Sequence, residues 1–419
     1  MSPAANLPRS NERLLLFILA AVQFTHIMDF MIIMPLGPQF MRAFGITPTQ
    51  FGLLVSVYSF SAGALGFAAG FFMDKFDRKR ALLVFYSGFI VGTLCCALAP
   101  NYFTLLLARI VAGAFGGVAA SIVLAIVGDV VPFERRGAAM GVIMTSFSLA
   151  SILGLPIGLK FAGWFSWHAP FLLLVGLGLL IAATAWRILP ALPPHHHPST
   201  HAAWEQMRSI LSQTNHHRAF ALIAVLSAGS ALIYPYLTPS MVTNAGLPES
   251  QMWLIYALGG ITTLFTSPYF GKMADRLGKL RVFTWLVLLS AIPTLLVANM
   301  VPVPVWIVLT VTTSYMIFTS GRFVPAMAMI TASVEPRYRG GFMSVNSAVQ
   351  QIAAGLATSV AAILVSSDAH GRIAGFPRAG WLALAMIVAS VYLIRQLRVA
   401  GPAKPTVIAE VEPVVESLG

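Results

Sequence analysis

Two stretches of the chain, 201 positions apart, carry the same charged turn between apolar runs: Gly70-Phe71-Phe72-Met73-Asp74-Lys75-Phe76-Asp77-Arg78-Lys79-Arg80 and Gly271-Lys272-Met273-Ala274-Asp275-Arg276-Leu277-Gly278-Lys279-Leu280-Arg281. One offset pairs Gly70 with Gly271, Asp74 with Asp275, Lys75 with Arg276, Arg78 with Lys279 and Arg80 with Arg281. The register extends upstream, where Pro38 answers Pro239, Gly45 answers Gly246 and Gln50 answers Gln251. Self-similarity at a fixed offset constrains the chain to fold as two copies of one unit.

The 419 residues are 58% hydrophobic and only 10% charged, with mean hydropathy +0.81. A soluble domain is typically about 25% charged, so this chain belongs in a bilayer. Apolar runs of about 20 residues, long enough to span as helices, fall at 14–36, 49–72, 81–99, 103–128, 138–162, 169–189, 219–243, 250–270, 282–300, 305–331, 342–366 and 379–394. The expected fold is all-α: twelve transmembrane helices in two pseudo-symmetric six-helix halves, residues 14–189 and 218–398. Residues 1–13 precede them, 190–217 link them and 399–419 form a tail expected to be disordered. Parallel duplicated halves around a midplane site are an architecture with which many secondary transporters alternate access.

A net charge of +12 raises the question of a nucleic-acid partner, and the placement of the 26 Lys and Arg residues decides it. Twenty fall in segments on the same side as the N-terminus; only Arg42, Lys160, Arg372 and Arg378 fall on the other, and Arg109 and Arg322 lie inside spans. This positive-inside bias predicts that both termini are cytoplasmic. The basic charge is topological, and no nucleic-acid partner is expected.

The linker is Pro-rich and holds His195, His196, His197, His201, His216 and His217. Its middle sets Trp204, Met207, Ile210 and Leu211 at helical spacing, as in a short helix lying on the membrane surface, with an ordinary tether as the favoured alternative. The histidines lack fixed ligand spacing and a Cys partner, so no metal is expected. Cys95 and Cys96 are adjacent, which makes a disulfide implausible.

Of fourteen acidic residues, only Asp29 falls within a span. A charge in hydrocarbon costs about 2.5–3.5 kcal/mol on insertion scales and by default faces a cavity or a partner. Asp29 stands 9 residues before Pro38 and Arg109 stands 8 residues after Asn101, which places them at nearly the same depth. An apolar site disfavours a charged carboxylate and a nearby guanidinium favours it, so a change in their separation would switch proton affinity. His26 and Thr25 lie one turn away on the same helix face, as a relay or as substrate contacts. The 201 offset carries Asp29 onto Ser230 and Arg109 onto Thr310, or onto Thr313 with the later offset of 204, so the second half lacks this pair. It offers instead Arg322, with no acid at its depth, facing either a helix carbonyl or a substrate anion. Tyr234 and Tyr236 flanking Pro235, which implies a bend, and Asn346 with Gln350 at i, i+4 complete the candidate cavity. Gly63, Gly66 and Gly70, and Gly113, Gly116 and Gly117, mark helix faces of close approach.

The loop Gly70-x-x-x-Asp74-Lys75-x-Asp77-Arg78-Lys79 resembles the motif between helices 2 and 3 of the major facilitator superfamily, a specific signal when found twice. The resemblance implies a cytoplasmic gate in which Asp74 and Arg78 interact with Asp129, repeated at Gly271, Asp275 and Lys279. Asp77 stands where the family usually has Gly, a mild departure because Asp tolerates turn geometry. Leu105-x-x-x-Arg109-x-x-x-Gly113 resembles the helix 4 motif associated with proton transfer. Asp29-Phe30-Met31-Ile32-Ile33-Met34-Pro35 resembles the helix 1 acidic motif of the antiporters, and Gly154-Leu155-Pro156-Ile157-Gly158 approximates their Gly-Pro motif.

Within the superfamily the chain is similar to bacterial drug or sugar efflux proton antiporters. That implies a monomer in the bacterial inner membrane that exports a small organic or drug-like compound against protons, with Asp29, Arg109 and His26 coupling the proton. The alternative is an organic-anion exchanger or facilitator that uses Arg109 and Arg322. No cofactor is expected. Neither a phosphate-binding Gly-x-x-x-x-Gly-Lys loop nor a nucleophile constellation stands in the sequence, so an enzyme is not expected either.

Overall fold

The computed structural model describes residues 9–72, 76–131, 135–190, 200–335, 339–368 and 371–398. Asp74, the histidine run 195–197 and the tail from 399 lie outside them. The first half comprises α1 (Arg9–Ile32), α2 (Gly37–Phe44), α3 (Pro48–Phe72), α4 (Arg78–Ala97), α5 (Tyr102–Val130), α6 (Arg136–Leu149), α7 (Leu155–Trp164) and α8 (His168–Ile188). After α9 (Thr200–Ser212), the second half comprises α10 (Thr214–Ala231), α11 (Tyr234–Thr243), α12 (Met252–Leu277), α13 (Lys279–Ala298), α14 (Val305–Ala332), α15 (Arg339–Leu364) and α16 (Phe376–Arg395).

Eleven spans among the described residues are long and apolar enough to cross a membrane. The twelfth is α12, 26 residues long, whose Thr262, Thr263, Thr266 and Lys272 dilute its apolar character. Six spans per half follow, and in the linker α9 takes in the stretch from Trp204 to Leu211.

Three expected spans are not single helices, each for a proline-related reason. The first stops at Ile32, a turn intervenes, and α2 restarts at Gly37 with Pro38 in its first turn, where a missing N–H costs nothing. The fifth contains a π turn at Ala150–Gly154, in which Leu155 N–H reaches back to Ala150 O. Pro156 follows at once and has no N–H to give. The seventh breaks between Ala231 and Tyr234, just before Pro235. A depth counted from Pro38 assumes one continuous first helix; because α1 ends at Ile32, Asp29 lies in its last turn, beside the break.

The repeat is also a repeat of backbone. Gly45 and Gly246, one offset apart, both take left-handed φ values, 61° and 76°, a conformation that glycine adopts without steric cost. The charged loops diverge. Gly278 sits at φ 94°, ψ 130°, whereas its counterpart Asp77 sits at φ −59°. Asp77 therefore does not replace glycine's turn geometry; its carboxylate accepts the Arg80 N–H at 2.8 Å and caps α4.

At the face opposite the termini, one apolar cluster runs through both halves, from Ile33, Leu36 and Phe51 to Tyr236, Leu237 and Met241. Toward the face that carries the termini, the cores of the halves are separate clusters, with Phe67 of α3 the point where the first half touches the second half's core. The halves meet through α3 on α15 and through α12 on α7 and the π turn. A Cβ at Gly63 would lie 3.0 Å from Ile352, and one at Gly260 2.8 Å from Ile152. Beyond the clusters, Tyr236 Oη donates to Pro48 O at 2.8 Å and Arg42 forms a two-pronged ion pair with Glu249, its second contact 2.8 Å long. The molecule is closed at the face remote from its termini.

Candidate functional site

The capping box of Asn101 and Thr104 fixes the start of α5, and seven residues on α5 delivers Arg109 into the interior of the first half. There its Nη1 lies 2.9 Å from Asp29 Oδ2 and 3.2 Å from Asp29 O, with both side chains wholly buried. Thr93 of α4 donates to Asp29 Oδ1 at 3.2 Å. The guanidinium also stands 4.1 Å above the ring of Tyr58 on α3, a cation–π contact strengthened by desolvation. Tyr58 Oη is 3.0 Å from His26 Nδ1. Four helices thus supply a connected set, Thr93, Asp29, Arg109, Tyr58 and His26.

Close packing makes the set possible. A Cβ at Gly113 would stand 2.5 Å from Tyr58 O, one at Gly117 2.7 Å from Ala62 Cα, and one at Gly116 2.7 Å from His26 Nδ1. The glycines of α5 therefore admit α3 and the histidine ring. Among the described residues Arg109 Nε and Nη2 make no hydrogen bond to nitrogen or oxygen, so a carboxylate and an aromatic face meet the cation while part of its donor set has no oxygen partner.

Tyr58 and Thr93 are missed by sequence reasoning. Each is one hydroxyl among many on an apolar helix, and no spacing marks the one that turns inward. Thr25, expected to contact substrate, is fully buried, with its Oγ1 2.9 Å from both Val22 O and Tyr86 Oη; it packs toward α4. Asp29 is also not the sole buried acid: Glu12 is 9% exposed and pairs with Arg135 at 2.9 Å near the terminus-bearing face.

Of the expected gate, Arg78 Nε meets Asp129 Oδ2 at 3.1 Å. Gly70 lies in the last turn of α3, and Asp74 is outside the described residues. In the second half Gly271 packs loosely, 3.6 Å from Val324 as measured to an added Cβ. Asp275 is exposed, and neither it nor Lys279 makes an ion pair among the described residues. The later offset places Ser333 where Asp129 stands, so the acceptor that would complete a second latch is a hydroxyl.

Arg322, wholly buried in α14, meets neither a helix carbonyl nor a carboxylate among the described residues. Its Nη1 donates to Ser290 Oγ at 3.1 Å and its Nη2 to Ser230 Oγ at 3.0 Å. Tyr234 is half-buried, its ring 5.7 Å from that of Tyr315. Tyr236 is fully buried in the closed face, bonded to Pro48 O, so it seals the halves together and does not line a cavity in this conformation. Asn346 is buried with Oδ1 unpaired, and Gln350 is half-buried one turn on. In the linker, His216 Nδ1 and His217 Nε2 bond the carbonyls of Ile210 and Leu211, which ties the end of α9 to α10. No group of three metal-binding side chains occurs among the described residues.

The sequence model described as Major Facilitator Superfamily matches residues 19–260 and 219–416. An uncharacterised MFS-type transporter of Bacillus subtilis, YceJ, is 24% identical over 352 residues, covering 83% of this chain and 88% of its own length. A probable sugar efflux transporter of Helicobacter pylori strain G27 is 25% identical over 232 residues, 55% of this chain and 58% of that protein. Among solved structures, a D-xylose-proton symporter superposes with a TM-score of 0.74 at 15% identity, covering 91% of this chain and 97% of that one. An inward-facing, occupied bacterial homologue of the lysosomal transporter Spinster gives 0.72 at 15% identity, covering 92% and 96%.

Proposed function

Because the chain belongs to the Major Facilitator Superfamily and is a multi-pass membrane transporter, we propose that it exports a small organic compound in exchange for protons, by alternating access. The observation that carries this reading is the buried 2.9 Å pair of Asp29 and Arg109 beside the α1 break. A proton on Asp29 removes the charge that holds Nη1. Arg109 then keeps only the Asp29 main-chain carbonyl and the Tyr58 ring, and the position of α1 against α5 changes in energy with protonation. A ligand or proton shifts a two-state equilibrium only through such a differential interaction. His26, joined to the guanidinium through Tyr58, is the exit or entry point for the proton.

The positive-inside bias puts the terminus-bearing face in the cytoplasm. The closed face is then extracellular and the conformation is inward-facing, with Arg78 and Asp129 at the cytoplasmic end available to a latch. The relatives bearing on direction are the probable sugar efflux transporters, and a proton-coupled protein shares the fold. An exchanger that grips anions with both Arg109 and Arg322 is less favoured, because Arg109 is already matched by Asp29.

The test begins with a growth-inhibition panel of drug-like compounds and sugars on cells with and without the protein. The compound so identified is followed in proteoliposomes under an imposed pH gradient. Asp29→Asn is expected to abolish gradient-driven movement, and unchanged coupled transport refutes the reading.

A further inference from the structure

Arg322 lies 17 residues from the start of α14 and 10 from its end, wholly buried. No carboxylate among the described residues lies within ion-pair distance of it. Two serine hydroxyls accept from its terminal nitrogens, and its Nε has no partner. Hydroxyls satisfy hydrogen bonds but leave the positive charge uncompensated, the costly condition for a buried cation.

The internal repeat shows what is missing. Ser230 is the counterpart of Asp29 at the 201 offset, and α13 and α14 are the counterparts of α4 and α5. In the first half, a guanidinium from α5 meets a carboxylate from α1, which a hydroxyl from α4 also contacts. In the second half, a guanidinium from α14 meets hydroxyls from α10 and α13. The helices that meet are counterparts, although Arg322 stands 9 to 12 positions beyond the counterpart of Arg109, and the carboxylate is absent.

Further unmatched polar atoms stand on the same helix. Thr319 and Tyr315, three and seven residues before Arg322 and so on its face, are 3% and 1% exposed; their hydroxyls lie near each other, and neither makes a hydrogen bond within 3.5 Å among the described residues. Tyr234, the half-buried neighbour of Tyr315, lies within electrostatic reach of the guanidinium. We propose that Arg322, positioned by Ser230 and Ser290, forms with the Tyr315 and Thr319 hydroxyls a subsite for a carboxylate on the transported compound. This rests on the transport reading and narrows its substrate to organic acids. A guanidinium with hydroxyl donors recognises a carboxylate by charge-assisted hydrogen bonds, and a neutral amide in the same place lacks the charge.

The full chain, purified in detergent, is melted with acetate, benzoate or succinate, and with acetamide, benzamide or succinamide. At least one carboxylate is expected to raise Tm where its amide does not. Arg322→Gln should remove that rise. Ser230→Asp restores the carboxylate that the repeat lacks and should weaken the same carboxylate about tenfold or more by competition for the guanidinium. If Arg322→Gln fails to fold, Ser230→Asp carries the test, because a merely structural arginine predicts no competition. Stabilisation by no carboxylate, equal action of acids and amides, or an unchanged response in Ser230→Asp overturns the proposal. Binding is read here without any gradient, so its failure leaves proton-driven transport through Asp29 standing, and loss of that transport reading leaves this binding result readable.

Discussion

At the residue scale, Tyr58 holds the candidate site together by two different attractions. Its ring faces Arg109 and its hydroxyl meets His26. Tyr58→Phe keeps the cation–π contact and removes only the hydrogen bond, typically a loss of about 0.5–1.5 kcal/mol. The expected result is a modest fall in Tm with a displaced pH profile of transport, measured side by side on the same preparation. Gly113→Leu is a harsher change. The side chain would run into the Tyr58 carbonyl 2.5 Å from the new Cβ, and overpacking of this kind costs about 1–3 kcal/mol. A lower Tm together with lost transport is the expected outcome. Asp29 and Arg109 were legible as candidates because a charge in an apolar run stands out. Thr93 and Tyr58 were not, because a polar side chain of modest hydropathy leaves no trace of which way it faces.

At the element scale, the two charged loops show how one motif settles into two backbones. Gly278 occupies a region of φ and ψ that is essentially restricted to glycine, and Asp77 does not. Gly278→Asp is therefore expected to destabilise by about 1–3 kcal/mol. Asp77→Gly should cost only a few tenths of a kcal/mol as a cap change. Thermal melts of the two variants check the ranking, and equal losses would contradict the assigned geometry. Helix existence was readable from apolar length, but helix continuity was not. The breaks after Ile32 and Ala231 and the π turn before Pro156 arise where a proline withholds a donor and neighbouring helices accept the resulting bend.

At the scale of the whole molecule, the closed face is held by groups from both halves. Arg42 and Glu249, 207 positions apart, make an exposed ion pair, of a kind usually worth about 0.2–1 kcal/mol. That is small against a fold and useful against a two-state balance. Glu249→Arg is expected to widen the population of molecules open at this face, read as longer distances between spin labels on α2 and α11. The double exchange Arg42→Glu with Glu249→Arg should return the distances to their original distribution. No change in the single variant would mean that the apolar seal around Phe51 and Tyr236 sets the balance alone.

Residence in a membrane, the number of spans and the doubling of the chain were determined by the sequence, because apolar length and a fixed offset are local properties of a string. The same string marked two buried arginines and set Arg109 at the depth of Asp29, but left open which groups Arg322 meets. Only the packed helices decided that Arg109 meets a carboxylate and an aromatic face while Arg322 meets two serines. That difference depends on the rotation and register of neighbouring helices, which are set by close contacts such as those at Gly113 and Gly117 and by no period along the chain.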